Sequence, residues 1–257
     1  RIFTATMAEA TSWRTALAVI GAVCFLLSLY FAKSLPPSEN FKKRPFAARY
    51  LFSSLYRQLQ DPGLICLYGI SFLIMGSFVT LYNYITFRLL GAPYHLPASL
   101  VSLIFLVYML GSFSSSMIGV QVERFGRGRM LFLTIATMVA GALFTVSRDV
   151  GTIVTGIAIF TCGFFGAHTI ASSWVGSRAK TARAQAASLY LFFYYLGSSV
   201  SGTVGGVFWT SFGWQGVVFL ILGLLGAGLV LLKFLTSCAA GACPARSAVA
   251  TLDVLRS

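Results

Sequence analysis

Six stretches of this chain carry no charged side chain: residues 15–32, 62–87, 89–122, 130–147, 150–177 and 184–232. A helix needs roughly 20 apolar residues to cross a bilayer, and every stretch is close to that length or longer. Charged residues make up 10% of the chain and apolar ones 57%, whereas a soluble domain holds about 25% charged residues. The run from Leu89 is too long for one span and must contain an exposed end, which residues 91–97, with Gly91, Pro93, His95 and Pro97, supply. The run from Ala184 is longer still and breaks at residues 210–214, around Gly213 and Trp214. The chain therefore reads as an all-α integral membrane protein. Its seven transmembrane helices fall near residues 13–33, 63–88, 98–120, 130–147, 151–175, 185–209 and 214–234.

A net charge of +13 would suit nucleic acid, but its distribution argues against that partner. Of 19 Lys and Arg, 15 fall in alternate connections: Lys33 to Arg57, Arg124 to Arg129, Arg178 to Arg183, and the tail from Lys233. Arg1, Arg14, Arg88 and Arg148 lie on the opposite side. This is the positive-inside bias of a multi-pass membrane protein. It places the N-terminus outside, the basic connections inside and the C-terminus in the cytoplasm. Cys24, Cys66 and Cys162 lie within helices, where thiols act as small apolar groups. With Cys238 and Cys243 in the tail they form no metal-ligand spacing. No metal and no cofactor is expected. Six acidic residues leave acid–base enzymology few players, so an enzyme is not expected.

The chain opens on Arg1 with no signal-peptide pattern, and we read it as part of a longer protein. Trp13 opens the first apolar helix and Trp214 the last, 201 positions and six helix starts later. That spacing fits a parallel repeat of two six-helix halves, each Trp lying at the outer interface. Residues 1–33 then end an N-terminal half that is otherwise missing. Residues 34–62 form a cytoplasmic linker, 63–235 a complete C-terminal half, and 236–257 a tail. Pro36 and Pro37 stop the first helix, and Lys42, Lys43, Arg44 and Arg49 follow. Tyr50 to Gln60 reads either as an amphipathic helix on the membrane surface or as a solvated basic linker. Asp61 and Pro62 make an N-cap and first-turn pair.

The densest charge sits in a short loop between two apolar runs, with Gly119, Glu123, Arg124, Gly126, Arg127 and Arg129. Glycines permit a tight turn, and the arginines can pair with Glu123 or with a helix C-terminus. A topogenic basic loop accounts for the arginines but not for the joint spacing of glycine, acid and arginine. His168 lies about ten residues inside its helix; at that depth ionisable groups usually face a bundle interior or a watery cavity. It suits proton exchange near neutral pH, or equally a neutral hydrogen bond to a neighbouring helix. Tyr82, Asn83, Tyr84, Tyr108, Tyr190 and Tyr194 are candidates to line a substrate cavity by stacking and hydrogen bonding. Helix packing explains any one of them as well. Arg88, near an outer helix end, reads as an anion contact at the outer mouth or as interfacial snorkelling. Glycines between Gly197 and Gly206 and between Gly223 and Gly228 give smooth faces for close helix packing.

The pattern from Gly119 to Arg129 resembles the loop signature of the Major Facilitator Superfamily of transporters. The stretches 75–85, 163–180 and 188–199 resemble one bacterial inner-membrane branch of it, a similarity running from the first helix to about Leu235. The resemblance implies a twelve-helix, proton-linked exporter of small molecules, drug-like compounds or sugars, in the bacterial inner membrane. Its partners would be substrate, protons, membrane lipid and the other half of the same protein. The stretch 202–206 is similar to a C-half counterpart of the antiporter motif, with Gly202 where proline is expected, so export direction rests on analogy. The competing reading is a seven-helix receptor or photoreceptor. A retinal protein needs a mid-membrane lysine in its last helix, and Lys233 stands at the helix end instead.

Overall fold

Backbone groups within a bilayer must bond one another, and a helix achieves this within one segment. In a computed structural model of the chain, all regular structure among the described residues (7, 11–35 and 48–239) is helical. The basic cluster Lys42, Lys43 and Arg44, and the tail residues 240–257 with Cys243, lie outside those residues. The helices are α1 (Trp13–Ser34), α2 (Ala48–Gln58), α3 (Pro62–Leu90), α4 (Ala98–Leu103), α5 (Val107–Phe125), α6 (Arg127–Phe144), α7 (Val150–Arg178) and α8 (Arg183–Ala239). A 3-10 turn, Ile104–Leu106, links α4 to α5. Six segments are long and apolar enough to cross a membrane, α4 and α5 counting as one. The last is broken at Gly213, with φ 60° and ψ −147°, a conformation open essentially to glycine alone. The break divides α8 into arms of residues 183–212 and 214–239, so seven crossing segments result, as the run lengths predict. The second arm continues past residue 235 to Ala239.

The chain divides into two compact units. The first comprises residues 1–48 and 89–105. There α1 starts at Ser12, whose hydroxyl accepts the Thr15 N–H at 3.2 Å, a cap that satisfies one free amide of the first turn. The exposed end between α3 and α4 is a tight turn. The Tyr94 and His95 amides donate to the Gly91 carbonyl at 3.1 and 3.0 Å, and that of Leu96 to Leu89 at 3.0 Å.

The second unit comprises residues 49–88 and 106–257. α7 lies at its centre, with α5, α6 and α8 packed against it. Phe160, Phe164, Ala167 and Ile170 of α7 are buried. Glycines bring α6 and α7 into backbone contact: a Cβ on Gly156 would fall 2.8 Å from the Gly141 carbonyl oxygen, and one on Gly163 2.7 Å from that of Thr134. Inside a bilayer no hydrophobic effect drives helices together, so such contact is a main source of cohesion. α3 packs on α8 through hydroxyls that reach across, Ser71 to the Tyr190 carbonyl at 3.3 Å and Thr80 to that of Ser201 at 3.1 Å.

One expectation changes in the folded chain. Residues 119–129 are not a loop: α5 runs through Glu123 and Arg124 to Phe125, and α6 begins at Arg127. Gly126 alone separates them, with φ 83° and ψ 146°, its amide donating to the Val122 carbonyl at 2.9 Å. Nothing before Gly126 interrupts the helical hydrogen bonds, so the charges ride on helix ends. Trp214, directly after the break at Gly213, is buried, and its indole N–H donates to the Thr145 carbonyl at 2.9 Å. α2 forms where an amphipathic helix was one of two readings. Ser54 and Gln58 are buried, and the Gln58 amide donates to the Thr181 carbonyl at 2.9 Å.

Candidate functional site

α3, α5, α7 and α8 each contribute aromatic side chains to one cluster. His168 lies about ten residues from the end of α7 at Arg178, roughly 15 Å at 1.5 Å per residue. That is near half the thickness of a hydrocarbon core of about 30 Å. The Tyr190 hydroxyl of α8 lies 3.0 Å from His168 Nδ1 and 3.4 Å from the His168 carbonyl oxygen. The hydroxyl either donates to Nδ1, leaving the ring proton on Nε2, or accepts from Nδ1–H while donating to the carbonyl. Tyr194, one turn further along α8, sets its ring 5.0 Å from the imidazole, and Phe164 stacks on the imidazole at 6.2 Å, itself 6.4 Å from Tyr194. Tyr190 is buried, whereas His168 and Tyr194 are half-buried.

The cluster continues through residues the sequence did not single out. Phe78 of α3 stacks on Phe164 at 3.8 Å and lies 5.6 Å from Tyr108 of α5. Tyr82 packs 4.9 Å from Tyr108, and its hydroxyl shares a 2.7 Å hydrogen bond with Thr161 of α7. Such rings present a polarisable surface with few polar atoms. Five predicted site residues, Tyr82, Tyr108, His168, Tyr190 and Tyr194, thus come together. Asn83 and Tyr84 do not join them. Asn83 is exposed. Tyr84 faces the first arm of α8, its hydroxyl donating to the Gly202 carbonyl at 2.7 Å and its ring 6.2 Å from Trp209. A helix turns 100° per residue, so neighbours in sequence look in different directions.

The charged elements gather at two ends of the bundle. At the end bearing Gly126, here called the basic end, Arg127 donates to the Ser177 hydroxyl and Arg124 lies over the Phe125 ring at 5.4 Å. Gly119, Glu123 and Arg129 are exposed, and Glu123 forms no ion pair among the described residues. The pairing predicted for that acid is made elsewhere. Arg178, at the end of α7, donates Nε and Nη2 to Asp61 Oδ1 at 2.9 and 2.7 Å. Asp61 also accepts the Gly63 and Leu64 amides at 2.8 and 3.3 Å, capping α3. Burial opposes the Asp61 charge, but Arg178 and these amides hold the carboxyl below its usual 3.8. Gly63 makes room for the pair, since a Cβ there would collide with the Arg178 guanidinium. The cap was legible from Asp61 and Pro62; the partner 117 positions away was not.

At the opposite end Arg88 donates to the carbonyls of Thr145 and, at 2.7 Å, Ser147, and lies 5.1 Å from the Trp214 ring centre. The cation therefore sits on the C-terminus of α6, where unpaired carbonyls and the helix dipole favour positive charge.

The chain is similar to known transporters over nearly its whole length. It is 46% identical to the MFS-type transporter YybF of Bacillus subtilis over 235 residues, 91% of this chain and 58% of that protein. It is 43% identical to the inner membrane transport protein YnfM of Escherichia coli over 231 residues, 90% of this chain and 55% of that protein. A transporter of Buchnera aphidicola shares 40% identity over 234 residues, 91% of this chain and 57% of that protein. The chain thus spans a little over half the length of these relatives. The profile of the Major Facilitator Superfamily matches residues 67–242. An all-helical membrane bundle, the charged turn at Gly126 and these kinships agree: the chain belongs to the Major Facilitator Superfamily.

Proposed function

We propose that the chain forms the C-terminal six-helix half, with one preceding helix, of a secondary active transporter in a bacterial inner membrane. The whole protein exchanges protons for a small molecule, drug-like or sugar, in the export direction. The observation that carries this reading is the His168–Tyr190 hydrogen bond inside an aromatic cluster at mid-helix depth. Histidine changes charge near neutral pH, so it can respond to a proton gradient where carboxylates stay ionised. Tyr108 and Tyr194 offer ring faces and hydroxyls to an amphipathic solute, and Tyr82, buried and bonded to Thr161, packs against Tyr108. Asn83 and Tyr84 lie outside this cluster.

Alternating access in this family's architecture rocks two halves about a site between them. The second wall of the site belongs to a further six-helix half of the same protein. The turn at Gly126 acts on switching rather than on substrate, because its guanidinium groups can pair with an acid or a helix end in one state and release it in the other. The charge bias puts the basic end in the cytoplasm. The receptor alternative gains nothing from the relatives, which bear transporter names.

The test is His168→Gln in the full-length protein, reconstituted in liposomes with an imposed pH gradient. Glutamine keeps much of the size and hydrogen bonding but does not titrate near neutrality. Flux from a panel beginning with ethidium and a disaccharide should lose its dependence on the gradient. Gradient-driven flux of undiminished size would assign His168 to packing.

A further inference from the structure

At the basic end, a groove of about 870 Å³ opens between the start of α6 and the end of α8. Phe132 and Leu133 form one wall, Leu229 and Leu232 the other, and Arg129 and Lys233 also line it. The two helices run antiparallel here: α6 leaves the basic end while the second arm of α8 returns to it. Arg129 therefore lies outward of Phe132 and Leu133, and Lys233 lies outward of Leu229 and Leu232. Both cations lie outward of these apolar walls, with Phe125, Gly126, Gly128 and Thr236 lining the groove beyond them. Both are exposed, and neither forms an ion pair among the described residues. The groove is not part of the aromatic cluster, and none of its lining belongs to α3 or α7.

We infer that this groove seats one anionic phospholipid from the leaflet at the basic end. Its phosphate lies between Arg129 and Lys233, and an acyl chain lies along Phe132, Leu133, Leu229 and Leu232. Two cations unpaired among the described residues, above an apolar trough, match the polarity of an anionic amphiphile. Basic pockets between membrane helices attract anionic headgroups, while a zwitterionic headgroup gains little. The other occupants fit the charge less well. Residues 240–257 carry Arg246 and Arg256 against Asp253, so the chain's own tail brings further positive charge. A second copy docked symmetrically through this face would bring a second Arg129 and Lys233 to the same interface, like charge near like. The inference takes from the transporter reading only the bilayer around the bundle.

The test is a titration of the full-length, delipidated protein in neutral detergent, followed by native mass spectrometry. The probes are dioleoylphosphatidylglycerol and dioleoylphosphatidylcholine. The first phosphatidylglycerol should bind on the order of tenfold tighter than phosphatidylcholine. Arg129→Gln with Lys233→Gln should erase that preference, while Arg183→Gln, which removes a cation outside the groove, should keep it. Leu229→Trp, filling the trough with the charges intact, should weaken both lipids. Equal binding of the two lipids to the unaltered protein, or a preference that survives the double substitution, overturns the proposal. Tenfold tighter phosphatidylglycerol binding on deleting residues 240–257 would make the tail the occupant and overturn it too.

Discussion

Arg178 and Asp61, 117 positions apart, join the end of α7 to the start of α3 through a guanidinium–carboxylate contact of 2.7 Å. The arginine sits where α7 ends in unpaired carbonyls and the aspartate where α3 begins with unpaired amides. Each charge suits its own helix dipole before it meets the other. The side chains are 28% and 33% exposed, between a surface pair and a buried one.

We predict that Asp61→Asn lowers stability by about 1–2 kcal/mol, from the lost pair and the lost negative charge at the helix N-terminus. Arg178→Gln should cost a similar amount, and the double variant less than the sum of the two, because each single change already breaks the shared contact. Thermal unfolding of the detergent-purified variants measures this. Strict additivity would mean that the pair contributes nothing.

The same pair predicts a pH dependence. The Asp61 carboxyl is held below its usual 3.8 in the folded chain. A carboxyl lowered on folding contributes stability that is whole above its unfolded pKa and is lost as pH falls through the folded one. The stability difference between wild type and Asp61→Asn should be flat from about pH 8 to about pH 5 and shrink below about pH 4. A difference that already shrinks between pH 7 and pH 6 would mean that another group titrates.

Arg88 is predicted to act on stability rather than on substrate. Arg88→Gln removes a charged donor from the Thr145 and Ser147 carbonyls, which we expect to cost about 1.5–3 kcal/mol. It also takes the cation from the Trp214 ring, a contact of about 0.5–2 kcal/mol. A variant of unchanged thermal stability but raised KM for an anionic solute would restore the outer-mouth reading.

Gly213 has the backbone conformation that splits α8 into two arms. Gly213→Ala should cost about 1–3 kcal/mol, since a Cβ is strained there. Gly223→Ala is the control: a Cβ at 223 meets nothing within 4 Å, so that change should be neutral or slightly stabilising. Equal thermal stability of the two variants would show that the chain turns elsewhere.

Orientation follows from the charge bias and is open to labelling. In a background without native cysteines, Pro93→Cys should react with a membrane-impermeant maleimide from outside the cell. Phe125→Cys should react only once the cytoplasmic face is opened. The reverse pattern would invert the whole topology.

The seven crossings were legible because each rests on a local property. A run of apolar residues long enough to span lipid has no alternative to helix, and the charges that end the runs are written beside them. Asp61 beside Pro62 announced the start of α3, and the apolar run too long for one span announced a break near Gly213. The kinship to a transporter family was legible for a similar reason, since its signature is a short local spacing of glycine, acid and arginine.

What the tertiary structure decided is which faces meet. Tyr82 and Tyr84 look alike in sequence, yet the helix turns one toward Thr161 and Tyr108 and the other toward Gly202. Glu123 was the evident acid for a charged turn, but Asp61 holds the arginine, because α7 ends beside the start of α3 and Gly63 leaves space for a guanidinium. Trp214 was legible as the start of a helix, but its burial under Arg88 and its bond to the Thr145 carbonyl were not. Composition and periodicity determine that a segment is a membrane helix. Rotation about its axis and the choice of neighbour are set by contacts between residues far apart in the chain, and no local pattern encodes those.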